Sequence, residues 1–98
     1  MYNNVYKMFM KYTWDDSKRR ANLKKHHLDL ADVEKVFAGA TFTFEDKRFD
    51  YGEQRWITMG LLGLAVVVIV HTETEEEIHV ISMRKAEKIE QALYYANL

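Results

Sequence analysis

The clearest acid–base groups in this sequence are its four histidines, because the 98-residue chain contains no cysteine. Zero cysteine excludes a thiol nucleophile, a disulfide scaffold and every cysteine-based zinc motif. Histidine suits proton transfer near neutral pH since its unperturbed pKa is about 6.5. His26 and His27 are adjacent, whereas His71 and His79 stand on either side of an acidic stretch. None of these spacings matches a standard metal site, so the sequence predicts no metal and no cofactor.

A second feature with chemical meaning is the uneven distribution of charge. The formal net charge of −1 by itself argues against a nucleic-acid partner. Residues 1–26 nevertheless carry seven Lys/Arg against two acids, residues 27–79 carry four against eleven, and residues 80–98 carry three against two. A basic segment of this density suits RNA or DNA phosphate, and it equally suits a solvated helix face. The basic charges cluster at Lys18, Arg19, Arg20, Lys24 and Lys25.

The hydrophobic pattern predicts the elements that must position these residues. With 48% hydrophobic and 30% charged residues, the chain is expected to form a single domain over 1–98. The pattern predicts helices at 15–25, 29–39 and 85–97, strands at 41–46, 53–60, 64–72 and 78–83, and a further short strand at 11–13. Short connections favour an antiparallel meander of the last three strands. The predicted fold class is therefore α+β, with helices packed on an antiparallel sheet in the order (β)ααββββα.

The helices also carry capping and packing signals. Asp15 is predicted to cap the first helix and Asp29 the second. Lys18, Asn22 and His26 recur every fourth residue and are predicted to form one polar stripe along the first helix. Four residues at helical spacing predict the buried face of the last helix: Ala86, Ile89, Leu93 and Ala96.

Four short segments lie in order between about residues 12 and 95 and carry a family resemblance. They are residues 14–18 (WDDSK) followed by Asn22 and Lys25-His26, the segment Gly52-Glu53-x-Arg55, the apolar stretch 67–72, and Ile81-Ser82-x-Arg84-Lys85-Ala86 followed by Glu90. Together they resemble the BrnT family of toxins. His79 and Glu73 replace residues that are usually basic in that pattern, and Met83 replaces a small one. Residues 1–11 are an N-terminal extension that the resemblance does not cover.

The resemblance implies a fold, an activity and a partner. BrnT toxins resemble RelE-like ribonuclease toxins in fold, cut RNA and arrest translation. The family's toxins are held inactive by a BrnA-like antitoxin with a ribbon-helix-helix domain, and they reach operator DNA only through that antitoxin. With no secretory signal and no apolar run of about 20 residues, we expect a cytoplasmic protein with no membrane contact.

RNA cleavage without a metal needs a base for the ribose 2′-hydroxyl, cations for the phosphate and an acid for the leaving oxygen. The catalytic candidates are His71, Arg84, Arg55 and Glu53. His71 would act as base or acid at the end of the central strand, and Arg84 would hold phosphate at the end of the last strand. Arg55 is predicted on a strand face with Glu53 as its partner. Each of these residues has an equally simple structural role, either a buried hydrogen-bonded histidine or a salt bridge.

The candidates for RNA binding are Lys18, Asn22, Lys25 and His26, all on the first helix. Lys25 suits a phosphate contact, whereas His26 also suits a helix C-terminus, and Lys18 and Asn22 also suit contacts with the second helix. Besides a ribonuclease toxin, the sequence leaves two alternatives open. One is a non-catalytic nucleic-acid-binding module, and the other is a domain that only binds its antitoxin.

Overall fold

Three helices and five strands form the part of the chain that the structure describes, residues 9–98 of a computed structural model. Their bounds are β1 Lys11–Thr13, α1 Asp16–His26, α2 Val33–Phe37, β2 Thr41–Glu45, β3 Trp56–Leu62, β4 Ala65–Glu73, β5 Glu77–Lys85 and α3 Lys88–Ala96, with a 3₁₀ turn at Leu30–Asp32 before α2. The predicted α+β class and element order are confirmed. Most of the extension expected for residues 1–11 lies outside the described residues, and its last residue, Lys11, begins β1. No helix within residues 9–98 is long and apolar enough to cross a bilayer.

The five strands form one sheet in the order β1-β5-β4-β3-β2. Strands β2 to β5 pair antiparallel with their neighbours, as the short connections predict. The sheet is not wholly antiparallel, however, because β1 pairs parallel with β5 in the register Lys11↔Glu77. A parallel pair needs a long connection, and here α1, α2 and three strands lie between the two partners.

The two faces of the sheet are covered unequally. One face packs against α1 and α2 and holds the larger core, in which Leu30, Val33 and Phe37 meet alternate residues of β4 and β5. The other face is covered mainly by α3, whose Tyr94 is fully buried against Met59 and Val68. Strand β4 is therefore apolar on both sides, which explains its unbroken run of valines and isoleucine.

Helix α1 is attached to the edge of the sheet by the side chain of Asn22. Its Nδ2 donates to the carbonyls of Leu28 and Met83, each at 2.9 Å, and its Oδ1 accepts from the Met83 amide at 3.0 Å. Strand β1 pairs only with residues 77–79 of β5, so Asn22 takes the position of a strand partner further along the same edge. The C-terminal end of α1 is thereby held beside the end of β5.

The capping predictions are met in different ways. Asp15 has the extended backbone of an N-cap but makes no side-chain cap hydrogen bond. Asp29 accepts a hydrogen bond from the Ala31 amide, and it caps the 3₁₀ turn rather than a full helix at 29–39. His27 ends α1 in the left-handed region with φ 59°.

The predicted buried face of α3 is wrong at Ile89, Leu93 and Ala96, which are exposed, and Ala86 precedes the helix. Ile89 is 77% exposed and Leu93 is 42% exposed, whereas Tyr94 is the residue that is buried. The helix is oriented by two polar anchors that the apolar spacing does not reveal. The Tyr94 hydroxyl donates to the Ala40 carbonyl at 2.8 Å, and Glu90 pairs with Arg84.

Candidate active site

A cleft of about 520 Å³ opens on the α3 face of the sheet, where α3 leaves part of β3, β4 and β5 uncovered. Its floor is apolar and its rim is polar, a combination usual in ligand sites. The floor consists of Phe44, Ile57, Met59, Val68 and Val70. The rim consists of Lys25, His26, Arg48, Ser82, Arg84 and Glu90, and Leu93 of α3 completes the lining.

Arg84 lies near the end of β5 and reaches the cleft with its guanidinium fixed by α3. Its Nη1 and Nη2 donate to the two carboxylate oxygens of Glu90, each at 2.7 Å. This pairing raises the pKa of Arg84 and lowers the pKa of Glu90, and burial opposes both shifts. Glu90 also accepts from the Glu87 amide in a capping box, so the start of α3 and the cation are held together.

Arg48 enters the cleft from the loop between β2 and β3. Its Nε and Nη2 donate to the two oxygens of Asp46, each at 2.8 Å. The pKa of Asp46 lies far below its usual range, mainly because of this pairing, and the pKa of Arg48 is raised. The sequence analysis missed Arg48, since it stands in a charged loop without a recognised motif. The alternation of charge around residues 45–50 was the only available signal.

Lys25 and His26 close α1 and line the same cleft. The pKa of His26 is lowered first by burial and then by the charges of Lys25, Arg84 and His27. Both causes favour the neutral form of the ring, which is the form that can accept a proton. The cleft brings together three of the residues predicted as functional, namely Lys25, His26 and Arg84.

His71 is not part of this cleft. It is fully buried on the opposite face of the sheet, with its ring edge-on to Phe37 at 5.4 Å. Its Nε2 shares a 2.7 Å hydrogen bond with the Thr58 hydroxyl, and its Nδ1 lies 3.7 Å from Glu73. His71 does lie near the end of β4, but its side chain is enclosed there because Phe37 of α2 packs against it.

Arg55 and Glu53 are also placed differently from the prediction. Strand β3 begins at Trp56, so both residues belong to the loop before it. Arg55 does pair with Glu53, its Nε donating to Oε2 at 2.9 Å, and its guanidinium lies 4.1 Å from the centre of the Tyr51 ring. The alternation that starts at Glu53 does not form a strand until Trp56, because the chain bends at residues 52–53, where Gly52 has a φ of +71°.

Lys18 and Asn22 do not share one exposed stripe. Asn22 is buried and holds the Met83 backbone, whereas Lys18 is exposed on α1. Of the four candidates for RNA binding, only Lys25 and His26 reach the cleft. The predicted polar stripe is wrong because the side-chain amide of Asn22 makes its hydrogen bonds to the Met83 backbone at the edge of the sheet.

The cleft lining combines Lys25, Arg48, Arg84 and His26 with an apolar floor, which are the residue types that anion binding and proton transfer require. Within residues 9–98, no group of three or more His, Asp or Glu side chains is arranged to hold a metal. Fold and cleft together define a small α+β protein with a cation-lined cleft.

Comparison with known proteins gives the family. The model of the family "Ribonuclease toxin, BrnT, of type II toxin-antitoxin system" matches residues 14–90. The 1.1 Å crystal structure of the Brucella abortus ribonuclease toxin BrnT is similar, with a TM-score of 0.64 and 32% identity, covering 81% of this chain and 99% of that chain. A comparison with curated protein sequences found no match. The chain belongs to the BrnT family of ribonuclease toxins, as the sequence resemblance indicated, and a type II system implies an antitoxin partner.

Proposed function

We propose that the cleft cleaves RNA without a metal ion and that this cleavage arrests translation. The observation that supports the proposal most directly is the meeting of His26, Lys25, Arg48 and Arg84 around one open cavity. These residues come from three separate elements, so their convergence is a product of the fold and not of one basic segment.

Each residue has a role in the proposed reaction. Neutral His26 takes the proton from the ribose 2′-hydroxyl, and the 2′-oxygen attacks phosphorus. Arg48 and Arg84 stabilise the charge that develops on the phosphate oxygens, and Lys25 contacts the same group. The bond from phosphorus to the 5′-oxygen breaks, and that oxygen takes a proton from Lys25 or from water. The products are a 2′,3′-cyclic phosphate and a 5′-hydroxyl.

The proposal changes the roles of the other candidates. His71 is excluded from the reacting groups because it lies across the sheet from the cleft. Asn22 is a structural residue, and Lys18 is left as an outer contact for RNA. Arg55 and Glu53 pair with each other in the loop and do not line the cavity.

We further propose that the antitoxin is a BrnA-like ribbon-helix-helix protein that covers the cleft in the cytoplasm. The cationic rim and the exposed Ile89 and Leu93 beside it suit an acidic segment with apolar residues. Such a cover would silence the toxin, and operator DNA would be reached only through the antitoxin.

The test uses the purified chain, freed of any partner, with labelled RNA in EDTA. We expect cleavage with cyclic-phosphate ends, at least a hundredfold slower in His26→Ala and Arg84→Ala. In cells, induction of the chain alone should stop amino-acid incorporation. Intact RNA in EDTA, or products with 5′-phosphates, would contradict the proposal.

One observation favours a non-catalytic role instead. Glu90 occupies two donors of the Arg84 guanidinium, which leaves fewer for a substrate phosphate. On this alternative the chain binds RNA or only its antitoxin. It would then shift RNA in gels, or copurify with the partner, while leaving the RNA uncut.

A further inference from the structure

We propose that Asp46, Tyr51 and Arg55 are positioning residues that fix the guanidinium of Arg48 at the edge of the cleft. The inference rests on the proposed function, since it gives these residues a purpose in phosphate binding. None of the three needs to touch RNA. Their effect would pass through Arg48, which is the member of the loop that lines the cavity together with Arg84.

Asp46 is a buried carboxylate. Its side chain is 0% exposed, yet the Arg48 side chain that it holds is 57% exposed. A buried carboxylate is costly unless its oxygens are fully hydrogen-bonded. Asp46 accepts from Nε, Nη2 and the backbone amide of Arg48, and from the hydroxyl of Tyr51 at 3.0 Å.

The Asp46 carboxylate fixes the orientation of the Arg48 guanidinium. A two-point pairing fixes the plane of the guanidinium, because both donors and both acceptors are rigidly spaced. Among residues 9–98, Nη1 of Arg48 makes no hydrogen bond, so it remains available to a phosphate. A cation that is already oriented loses less side-chain freedom when it binds its anion.

Tyr51 is itself held in place by side chains that pack on its ring. The guanidinium of Arg55 covers one side of its ring at 4.1 Å, and Phe49 approaches edge-on with centroids 5.8 Å apart. Glu53 in turn holds Arg55, and the Asp46 amide donates to the Arg55 carbonyl at 2.8 Å. The contacts thus run from Glu53 through Arg55, Tyr51 and Asp46 to Arg48.

A purely structural role for the same contacts makes a different prediction. If they only close the loop between β2 and β3, their loss should impair the protein whether or not Arg48 is present. If they act through Arg48, their loss should matter only while Arg48 is present. A double-mutant cycle separates the two cases.

The kinetic experiment compares Asp46→Asn and Tyr51→Phe in the wild-type and Arg48→Ala backgrounds, with labelled RNA as substrate. Arg48→Ala and Asp46→Asn should each lower kcat/KM by roughly tenfold or more, and Tyr51→Phe by a few-fold. Neither Asp46→Asn nor Tyr51→Phe should lower kcat/KM further in the Arg48→Ala background.

Arg55→Lys, which keeps a cation over the Tyr51 ring, should retain more activity than Arg55→Ala. Tyr95→Phe removes an exposed hydroxyl outside the network and serves as the matched control, with no expected change.

A second readout does not depend on cleavage. The Nε–Hε NMR signal of Arg48 should be protected from solvent exchange in the wild type and should shift when inorganic phosphate is added. Both properties should be lost in Asp46→Asn and kept in Tyr95→Phe. Equal losses of kcat/KM in both backgrounds, or an unchanged Arg48 signal in Asp46→Asn, would overturn the positioning proposal.

The two proposals fail in distinguishable ways. If RNA stays uncut while phosphate still shifts the Arg48 signal in an Asp46-dependent manner, cleavage is refuted and positioning stands. If RNA is cut but Arg48→Ala leaves kcat/KM unchanged, positioning is refuted and the cleft retains its other groups.

Discussion

His26 and His71 show how completely surroundings decide what one residue type can do. Both are histidines in a protein without cysteine, and the predicted place of His71 at the end of the central strand favoured it for chemistry. His26 stands on the rim of a cleft beside two cations, whereas His71 is enclosed between β3, β4 and α2. The rim position gives access to a substrate, and the enclosed position gives a hydrogen bond to Thr58 and packing against Phe37.

The titration of His26 tests the electrostatics of the rim. Burial and the neighbouring cations lower its pKa, so the neutral base should persist as the pH falls below about 6.5. An NMR titration should place its midpoint below that of a model histidine, and Arg84→Gln should move it upward. The acid limb of kcat/KM should follow the same midpoint. A midpoint at or above about 6.5 would remove the stated reason for a neutral base.

His71→Ala should lower stability and leave the chemistry intact. Removing a buried ring and its hydrogen bond should reduce the free energy of unfolding by about 2–4 kcal/mol. Urea unfolding measures that loss, and cleavage per folded molecule should match the wild type. A large loss of activity with unchanged stability would instead return His71 to the catalytic groups.

Among the elements, α3 depends on two polar anchors more than on an apolar face. Tyr94 is its buried residue, and the pairing of Glu90 with Arg84 holds its first turn. Its outer apolar side chains remain exposed, as Ile89 shows. The helix therefore covers only part of the sheet, and the uncovered part is the cleft.

The anchoring of α3 should respond to acid with a definite sign. The pKa of Glu90 is lowered, so its contribution is complete above the ordinary value of about 4.5 and is lost as the pH falls through the lowered pKa. Hydrogen exchange in Lys88–Ala96 should thus be unchanged between pH 7 and pH 5, after correction for intrinsic rates, and accelerate at lower pH. Glu90→Gln should show the faster exchange at every pH. Slow exchange in that variant would mean that Tyr94 alone holds the helix.

Sequence reasoning succeeded where a pattern is local and failed where a distant contact decides. The apolar run of β4, the meander and the position of Arg84 before a helix all follow from period and connection length. The start of β3 was misplaced because Glu53 and Arg55 alternate like strand residues while tertiary contacts hold them in a loop. Arg48 was not predicted, since its place at the cleft depends on its pairing with the buried Asp46, which no spacing reveals. Asn22 likewise had no signal for its pairing with Met83, 61 residues away.

At the scale of the whole molecule, the near-neutral charge conceals where the cations gather. The basic residues of α1 are mostly dispersed over its exposed surface, and only Lys25 among them lines the cleft. Arg48 and Arg84 reach the same cavity from acidic or neutral stretches of sequence. Folding therefore brings the cations of the cleft together from separate parts of the sequence, and most of the basic residues of α1 lie outside the cleft.

The salt dependence of RNA binding should report this small number of cations. Three phosphate contacts, by Lys25, Arg48 and Arg84, predict a slope of log K against log salt of about −2 for a single strand. Arg48→Ala should make the slope shallower by about 0.7. Fluorescence anisotropy with a 2′-deoxy oligonucleotide, which cannot be cut, provides the measurement. A slope steeper than about −4 would show that the basic face of α1 takes part as well.

The pairing of Asn22 with β5 has a consequence for how this protein meets other chains. An open strand edge is a template on which a foreign strand can add itself. Within residues 9–98, the outer edge of β5 is occupied by β1 at residues 77–79 and by the Asn22 amide at Met83. Recruitment of a strand there would first have to displace these groups.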